Sequence, residues 1–88
     1  MIFISLNKLK KKPDKESFGN ATKMVEEFKK KGIKILSWYW TLGRYDVVMV
    51  FEAANEKEAL KFLVGGASEF VKTETLVAVP RQEAINLL

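Results

Sequence analysis

The sequence contains neither cysteine nor histidine among its 88 residues. Without thiolates, disulfides and the zinc or iron–sulfur sites built on cysteine are excluded. Without imidazole, the chain lacks the usual general base near neutral pH, the Ser-His and Cys-His nucleophiles and the commonest transition-metal ligand. We therefore expect no metal site and no cofactor. The lack of cysteine also favours a reducing, cytoplasmic environment.

Long apolar runs are absent as well. No run approaches the roughly 20 residues of a membrane span, and no basic region precedes the first apolar residues, so we expect neither a membrane segment nor a signal peptide. Fifteen Lys and Arg against eleven Asp and Glu give a net charge of +4, which is modest. Hydrophobic residues make up 48% of the chain, more than a lone small core needs, so we expect some of them to face a partner.

Hydrophobic periodicity predicts one domain over 1–88, with its core in 1–79 and a tail or short helix in 80–88. Strands are expected at 2–7, 34–42, 45–53 and 71–79. Helices are expected at 14–31 and from the Asn55 cap to Gly65-Gly66, where Glu58 completes an N-x-x-E box. The order β-α-β-β-α-β predicts an α+β, ferredoxin-like fold, a four-stranded antiparallel sheet with both helices on one face.

The register of the middle strands predicts an unusual sheet. If Gly43-Arg44 is a two-residue hairpin loop, one face carries Leu36, Trp38 and Trp40 opposite Phe51, Met49 and Val47. The other face carries Ile35, Ser37 and Tyr39 opposite Glu52, Val50 and Val48. We expect the helices on the tryptophan face because its bulk suits a core. The half-apolar second face favours packing on another subunit in a dimer or higher homo-oligomer; the alternative is a twisted sheet with some exposed valines.

The segment 39–48, Tyr-Trp-Thr-Leu-Gly-Arg-Tyr-Asp-Val-Val, resembles the signature of the GYD domain family, and 71–76 is similar to that family's last strand. The resemblance runs from Ile2 to Val79. It implies a ferredoxin-like fold of the dimeric α/β-barrel group. It implies little about activity, because fold analogy alone does not supply a function.

Carboxylates and tyrosines near this segment are the candidate site residues. Asp46 is disfavoured in a strand; it either accepts hydrogen bonds from turn amides or Thr41, or serves as a general base whose pKa burial raises. Glu74 is expected to pair with Lys72 or Arg44, or to reach the same cleft. Tyr39, Arg44, Tyr45 and Asp46 are the candidate ligand-binding residues, with Arg44 as an anion clamp. Each has a structural alternative in solvation, ring burial or turn formation.

Three functions remain open at this point. The first is a non-enzymatic homodimeric module that is structural or holds a small-molecule ligand near Tyr39, Asp46 and Glu74. The second is a small, cofactor-free enzyme with Asp46 or Glu74 as its base and a tyrosine or Arg44 as electrostatic partner. The third is nucleic-acid binding through Lys8, 10–12 and 29–31. We do not expect it, because the aromatic motif of RNA-binding sheets is missing from the third strand.

Overall fold

The computed structural model describes all residues 1–88. Its elements follow the expected order, with one additional turn before the last strand and a short helix within 80–88. The strands are β1 (Ile2–Leu9), β2 (Lys34–Trp40), β3 (Val47–Glu52) and β4 (Val71–Ala78). The helices are α1 (Lys15–Lys30), α2 (Glu56–Gly65) and α3 (Arg81–Ile85), and a 3₁₀ turn covers Ala67–Glu69. No helix is both long enough and apolar enough to cross a membrane.

The sheet is antiparallel throughout, in the order β2-β3-β1-β4. This order places the first and third strands at the centre, as the ferredoxin-like arrangement requires. The α+β prediction is therefore confirmed. Trp40 lies opposite Val47 and Trp38 opposite Met49, as expected.

A β-bulge at Leu36 shifts the register of β2 against β3 from the expected one. Beyond it, Ile35 pairs with Phe51 and Lys34 with Glu52. The predicted pairs Leu36 with Phe51 and Ile35 with Glu52 are therefore wrong. An extra residue on one strand shifts every later pair by one position, which moves Ile35 to the helix side. There Ile35 packs against the core.

The two-residue hairpin was also a wrong prediction, although Gly43 does adopt the positive φ (108°) expected of it. β2 ends at Trp40 and β3 begins at Val47, so the connection between them is longer than two residues. Other contacts hold its ends: the Thr41 hydroxyl donates to the Tyr45 carbonyl at 2.7 Å, and the Asp46 amide donates to the Asn7 carbonyl at 2.8 Å. Asp46 is thus tied to β1, and the Thr41 amide closes the loop on the Asp46 carbonyl at 2.9 Å.

α1 and α2 begin where the sequence predicted, each at a side-chain cap. Asp14 accepts from the Ser17 amide at 2.7 Å, and Asn55 accepts from the Glu58 amide at 2.9 Å. The hydrogen bonds from Ser17 hold the pKa of Asp14 below its ordinary value. The reciprocal half of the predicted box is not formed, because the Glu58 carboxylate accepts from Lys61 instead.

The core lies between the helices and the tryptophan-bearing face of the sheet. A chain of aromatic contacts runs through it: Phe3 stacks on Phe51 at 5.3 Å, Phe51 meets Phe62 edge-on at 5.0 Å, and Phe62 meets Phe28 at 5.3 Å. Val25 is the fully buried residue of α1, while Phe18 in its first turns is 59% exposed. α1 therefore packs against the core through Met24, Val25 and Phe28 and not through Phe18.

The opposite face of the sheet packs against neither α1 nor α2, and we call it the helix-free face. Alternation along the strands places on it Ile2, Ile4, Leu6, Tyr39, Val48, Val50 and Leu76. Its central residues are half-buried by one another, and Tyr39 is exposed. A solvated sheet face would alternate to polar residues instead. The helix-free face is thus half-apolar as expected, except that Ile35 lies on the helix side.

Candidate functional site

A cavity of about 110 Å³ opens between the helices and the sheet, on the side that carries the core. We call it the helix-side cavity. The walls are mainly large apolar side chains from three elements: Trp38 and Trp40 of β2, Phe18 and Met24 of α1, and Phe70 before β4. β2, which carries the two tryptophans, lies at the edge of the sheet.

The two tryptophans differ from the expectation that they would fill the core. They do lie on the helix side, but Trp38 is 40% and Trp40 56% exposed, so neither is part of the closed core. Their rings instead form one wall of the cavity. An indole that borders an open apolar space offers a flat surface of the kind that small-molecule sites often use.

The floor of the cavity is polar. Ser5 and Asn7 of β1 line it and are the buried polar residues of the chain. The Ser5 hydroxyl donates to Asn7 Oδ1 at 2.9 Å and also bonds the Thr73 hydroxyl at 2.7 Å, while the Asn7 amide donates to the Ser5 carbonyl at 3.2 Å. No buried polar side-chain atom lacks a partner. The floor is thus neutral and internally bonded.

Sequence reasoning missed this cavity. Along β1 the polar residues Ser5 and Asn7 alternate with Ile4 and Leu6, a pattern that ordinarily points polar side chains to water. Here the polar residues lie beneath the helices and the apolar ones occupy the helix-free face. The sequence offers one signal for this orientation. Phe3 lies two residues before Ser5 and four before Asn7, so all three side chains are on the same face of β1.

The predicted site residues lie elsewhere, at one end of the sheet. Tyr45 donates its hydroxyl to Glu74 Oε2 at 2.5 Å, a bond that crosses β1 from the β3 side to β4. Because Glu74 pairs with Leu6, this contact lies on the helix-free face. The Arg44 guanidinium lies 5.7 Å from the centre of the Tyr45 ring. The structure thus brings Arg44, Tyr45 and Glu74 together, and Tyr39 lies on the same face.

Asp46 does not join that group. Its Oδ2 accepts a hydrogen bond from the Leu9 backbone amide at 2.9 Å. Together with the Asp46 amide, which donates to Asn7, this fixes the start of β3 against β1. The geometry matches the structural reading of Asp46, with Leu9 as the donor in place of the expected turn amides or Thr41.

The bond to Glu74 changes the acidity of Tyr45. The hydrogen bond to Glu74 raises the pKa of Tyr45 above its ordinary value of 10.0, and desolvation and the negative charge of Glu74 raise it further. The positive charge of Arg44 lowers the pKa of Tyr45. A raised pKa keeps the phenol protonated at neutral pH. Tyr45 therefore serves as a hydrogen-bond donor and not as a base.

We predict that Glu74→Gln lowers the pKa of Tyr45 towards its ordinary value, because it removes the charged acceptor. Since the folded-state pKa is the higher one, this bond stabilises the fold fully below pH 10.0 and its contribution is lost as pH rises through the folded-state value. Tyrosinate absorbance measures the titration in a Tyr39→Phe background, where Tyr45 is the only tyrosine left of two. An unchanged titration after Glu74→Gln would contradict the assignment.

No three or more acidic side chains gather into a group that could hold a metal ion. None of the residues lining the helix-side cavity is a carboxylate. The site chemistry available is therefore apolar contact, aromatic surface, neutral hydrogen bonding and the positive charge of Lys11 and Lys12. These are the features of a binding site for a small, largely apolar molecule.

The fold and cavity define a small ferredoxin-like α+β domain, and comparison with known proteins places it further. The model of the GYD domain matches residues 7–88, so the chain belongs to the GYD domain family. Among solved structures it is similar to the crystal structure of TTHA0845 from Thermus thermophilus, with a TM-score of 0.58 and 21% identity over 89% of this chain and 91% of that one. At that identity the likeness supports the fold alone. The search of curated proteins gives no match.

Proposed function

We propose that the chain is a homodimeric binding module: two copies pack through their helix-free faces, and each holds a small molecule in its helix-side cavity. The observation that carries the proposal is the separation of the two surfaces. One apolar face of the sheet is left uncovered by α1 and α2, while the cavity lies on the other face. Dimerisation and binding therefore need not compete for the same residues.

The helix-free face suits a second copy of the chain better than a charged partner. Its centre is the apolar row Ile4, Leu6, Val48 and Val50, which pair across β1 and β3. Its rim carries both signs of charge, with Lys8, Lys34 and Lys72 beside Glu52 and Glu74. A twofold axis brings a surface against itself, so a rim of mixed sign offers attractive pairs. Nucleic acid would require a rim of one sign.

Catalysis has less support from the geometry. Glu74 already accepts from Tyr45, and Asp46 accepts from the Leu9 amide. Neither carboxylate lines the helix-side cavity, where a substrate would be enclosed. The enzyme hypothesis, with Asp46 or Glu74 as base, therefore stays a prediction without a specific observation in its favour.

For the assembly, we predict that light scattering after size exclusion gives twice the chain mass of 10.1 kDa at micromolar concentration. Val50→Lys should weaken the dimer about a hundredfold or more, because it buries an unpaired charge at the centre of the interface. Val64→Lys is the matched control, since Val64 lies 68% exposed on α2. A monomeric parent protein, or equal effects of the two lysines, would refute the dimer.

The proposed binding of a small molecule has its own test. The two tryptophans of the chain both line the cavity, so their fluorescence reports on its occupant directly. We expect the neutral probe benzyl alcohol to give a saturable fluorescence change in the parent protein and in Val50→Lys alike. If no saturable change is seen, the binding function is wrong whatever the state of assembly.

A further inference from the structure

The size of the helix-side cavity limits its occupant. A closed apolar cavity of about 150 Å³ holds one benzene molecule, and this one measures about 110 Å³ before it opens to the surface. It therefore accommodates at most a single ring or a short branched chain, with any further group of the ligand lying at the mouth.

The interior does not call for a polar group on that part of the ligand. Ser5 and Asn7 on the floor satisfy each other and Thr73, and no buried polar side-chain atom is left without a partner. A charged group placed there would lose its hydration without gaining an opposite charge. The apolar end of a ligand thus belongs inside, and its polar end outside.

The mouth has one sign of charge. Among the residues that line the cavity, Lys11 and Lys12 alone are charged, and both are exposed. Neither forms a salt bridge; the ion pairs of the protein are Lys29–Glu26, Lys30–Glu27 and Lys61–Glu58. The nearby start of α1 is already capped, since the Asp14 carboxylate takes the Ser17 amide. A ligand's outer group therefore meets two ammonium groups that form no salt bridge, although the Asp14 carboxylate is close enough to Lys11 to interact with it electrostatically.

We propose that the helix-side cavity binds small carboxylic acids, with an aromatic ring or short aliphatic chain between the β2 tryptophans and α1 and the carboxylate at Lys11 and Lys12. The inference rests on the proposed binding function and specifies its ligand class. It assigns a role to the 10–12 lysine run that neither the fold nor the dimer requires. The same chemistry excludes cationic ligands of equal size.

The test compares three probes that share one ring: benzoate, benzyl alcohol and benzylamine, followed by tryptophan fluorescence. We expect benzoate to bind about three- to tenfold more tightly than benzyl alcohol, as two exposed ion pairs allow, and benzylamine to bind weakest. Added salt should weaken benzoate binding and leave benzyl alcohol unaffected. If benzyl alcohol binds and benzoate binds no better, this inference fails while the proposed binding function stands.

Variants locate the site. Lys11→Ala with Lys12→Ala should remove the preference for benzoate, whereas Lys29→Ala with Lys30→Ala, at the far end of α1, should keep it. Ala21→Leu fills the cavity from α1 and should abolish binding of all three probes. If that variant does not fold, Trp40→Leu removes a wall from an exposed position and should weaken each probe about tenfold, with Trp38 as reporter. A benzoate preference that survives loss of Lys11 and Lys12 would overturn the assignment.

Discussion

Replacing Phe51 by alanine should leave much of the chain unfolded at room temperature. Phe51 is fully buried, stacks on Phe3 and meets Phe62 edge-on, so it links the sheet to α2. Removing a buried phenylalanine costs about 3–5 kcal/mol. A chain of 88 residues has a total of roughly 4–13 kcal/mol at typical stability per residue. The loss is therefore a large part of the whole.

Urea unfolding followed by circular dichroism measures this effect, with Phe18→Ala as the matched control. Phe18 is the same residue type but lies 59% exposed at the cavity mouth, so its loss should change the unfolding free energy by less than about 1 kcal/mol. Both variants should be measured at one protein concentration, because dimerisation would add to the apparent stability. Similar losses for the two variants would show that the aromatic chain is not the centre of the core.

Alanine substitutions at the two adjacent glycines at the end of α2 should have different effects on stability. Gly66→Ala should destabilise the fold, whereas Gly65→Ala should not. A methyl group on Gly66 would lie 2.6 Å from Met24 Sδ, 2.8 Å from Phe28 Cε2 and 3.0 Å from the Phe62 carbonyl oxygen. Met24 can move, but the ring and the backbone cannot do so freely. Overpacking of this kind costs about 1–3 kcal/mol. The cost is one of space, since Gly66 has a φ of −133°, which any residue adopts.

Gly65→Ala is the control for that prediction. Its added methyl would meet only Phe28 Cζ at 3.8 Å, an ordinary contact. Because Gly65 lies within α2, alanine there should be neutral or stabilise the fold by up to about 1 kcal/mol through helix propensity. Thermal unfolding of the two variants side by side decides the matter. A stabilised Gly66→Ala would mean that α1 and α2 are packed less tightly than described.

Local signals predicted the elements, and non-local contacts account for what was missed. The caps Asp14 and Asn55 and the glycine at 43 act within a few residues of themselves, so sequence spacing identifies them. The bulge at Leu36 depends on which neighbour a strand meets, which spacing does not encode. The Tyr45–Glu74 bond joins residues 29 positions apart. Pairing of that kind becomes visible only when β1 is placed between β3 and β4.

In the candidate site, too, some residues were predicted from the sequence, whereas the cavity depends on non-local contacts. Tyr39, Tyr45, Glu74 and Arg44 were identified from the sequence, and they lie at the helix-free face. The helix-side cavity was not anticipated, because it depends on how far α1 extends over the sheet. The exposure of Trp38 and Trp40 follows from the same geometry. Their size indicated a place in the core, whereas on the edge strand β2 they form a wall of the helix-side cavity.

The polar floor of β1 also bears on how the chain avoids misfolding. Apolar residues occupy both sides of β1, with Phe3 on one side and Ile4 and Leu6 on the other, so a slip by one residue would still bury hydrophobic groups, and hydrophobicity alone discriminates poorly against it. Such a slip would break the hydroxyl contact between Ser5 of β1 and Thr73 of β4, whereas the bonds between Ser5 and Asn7 lie within β1 and do not depend on register. The contact between Ser5 and Thr73 therefore favours the observed alignment of β1 with β4.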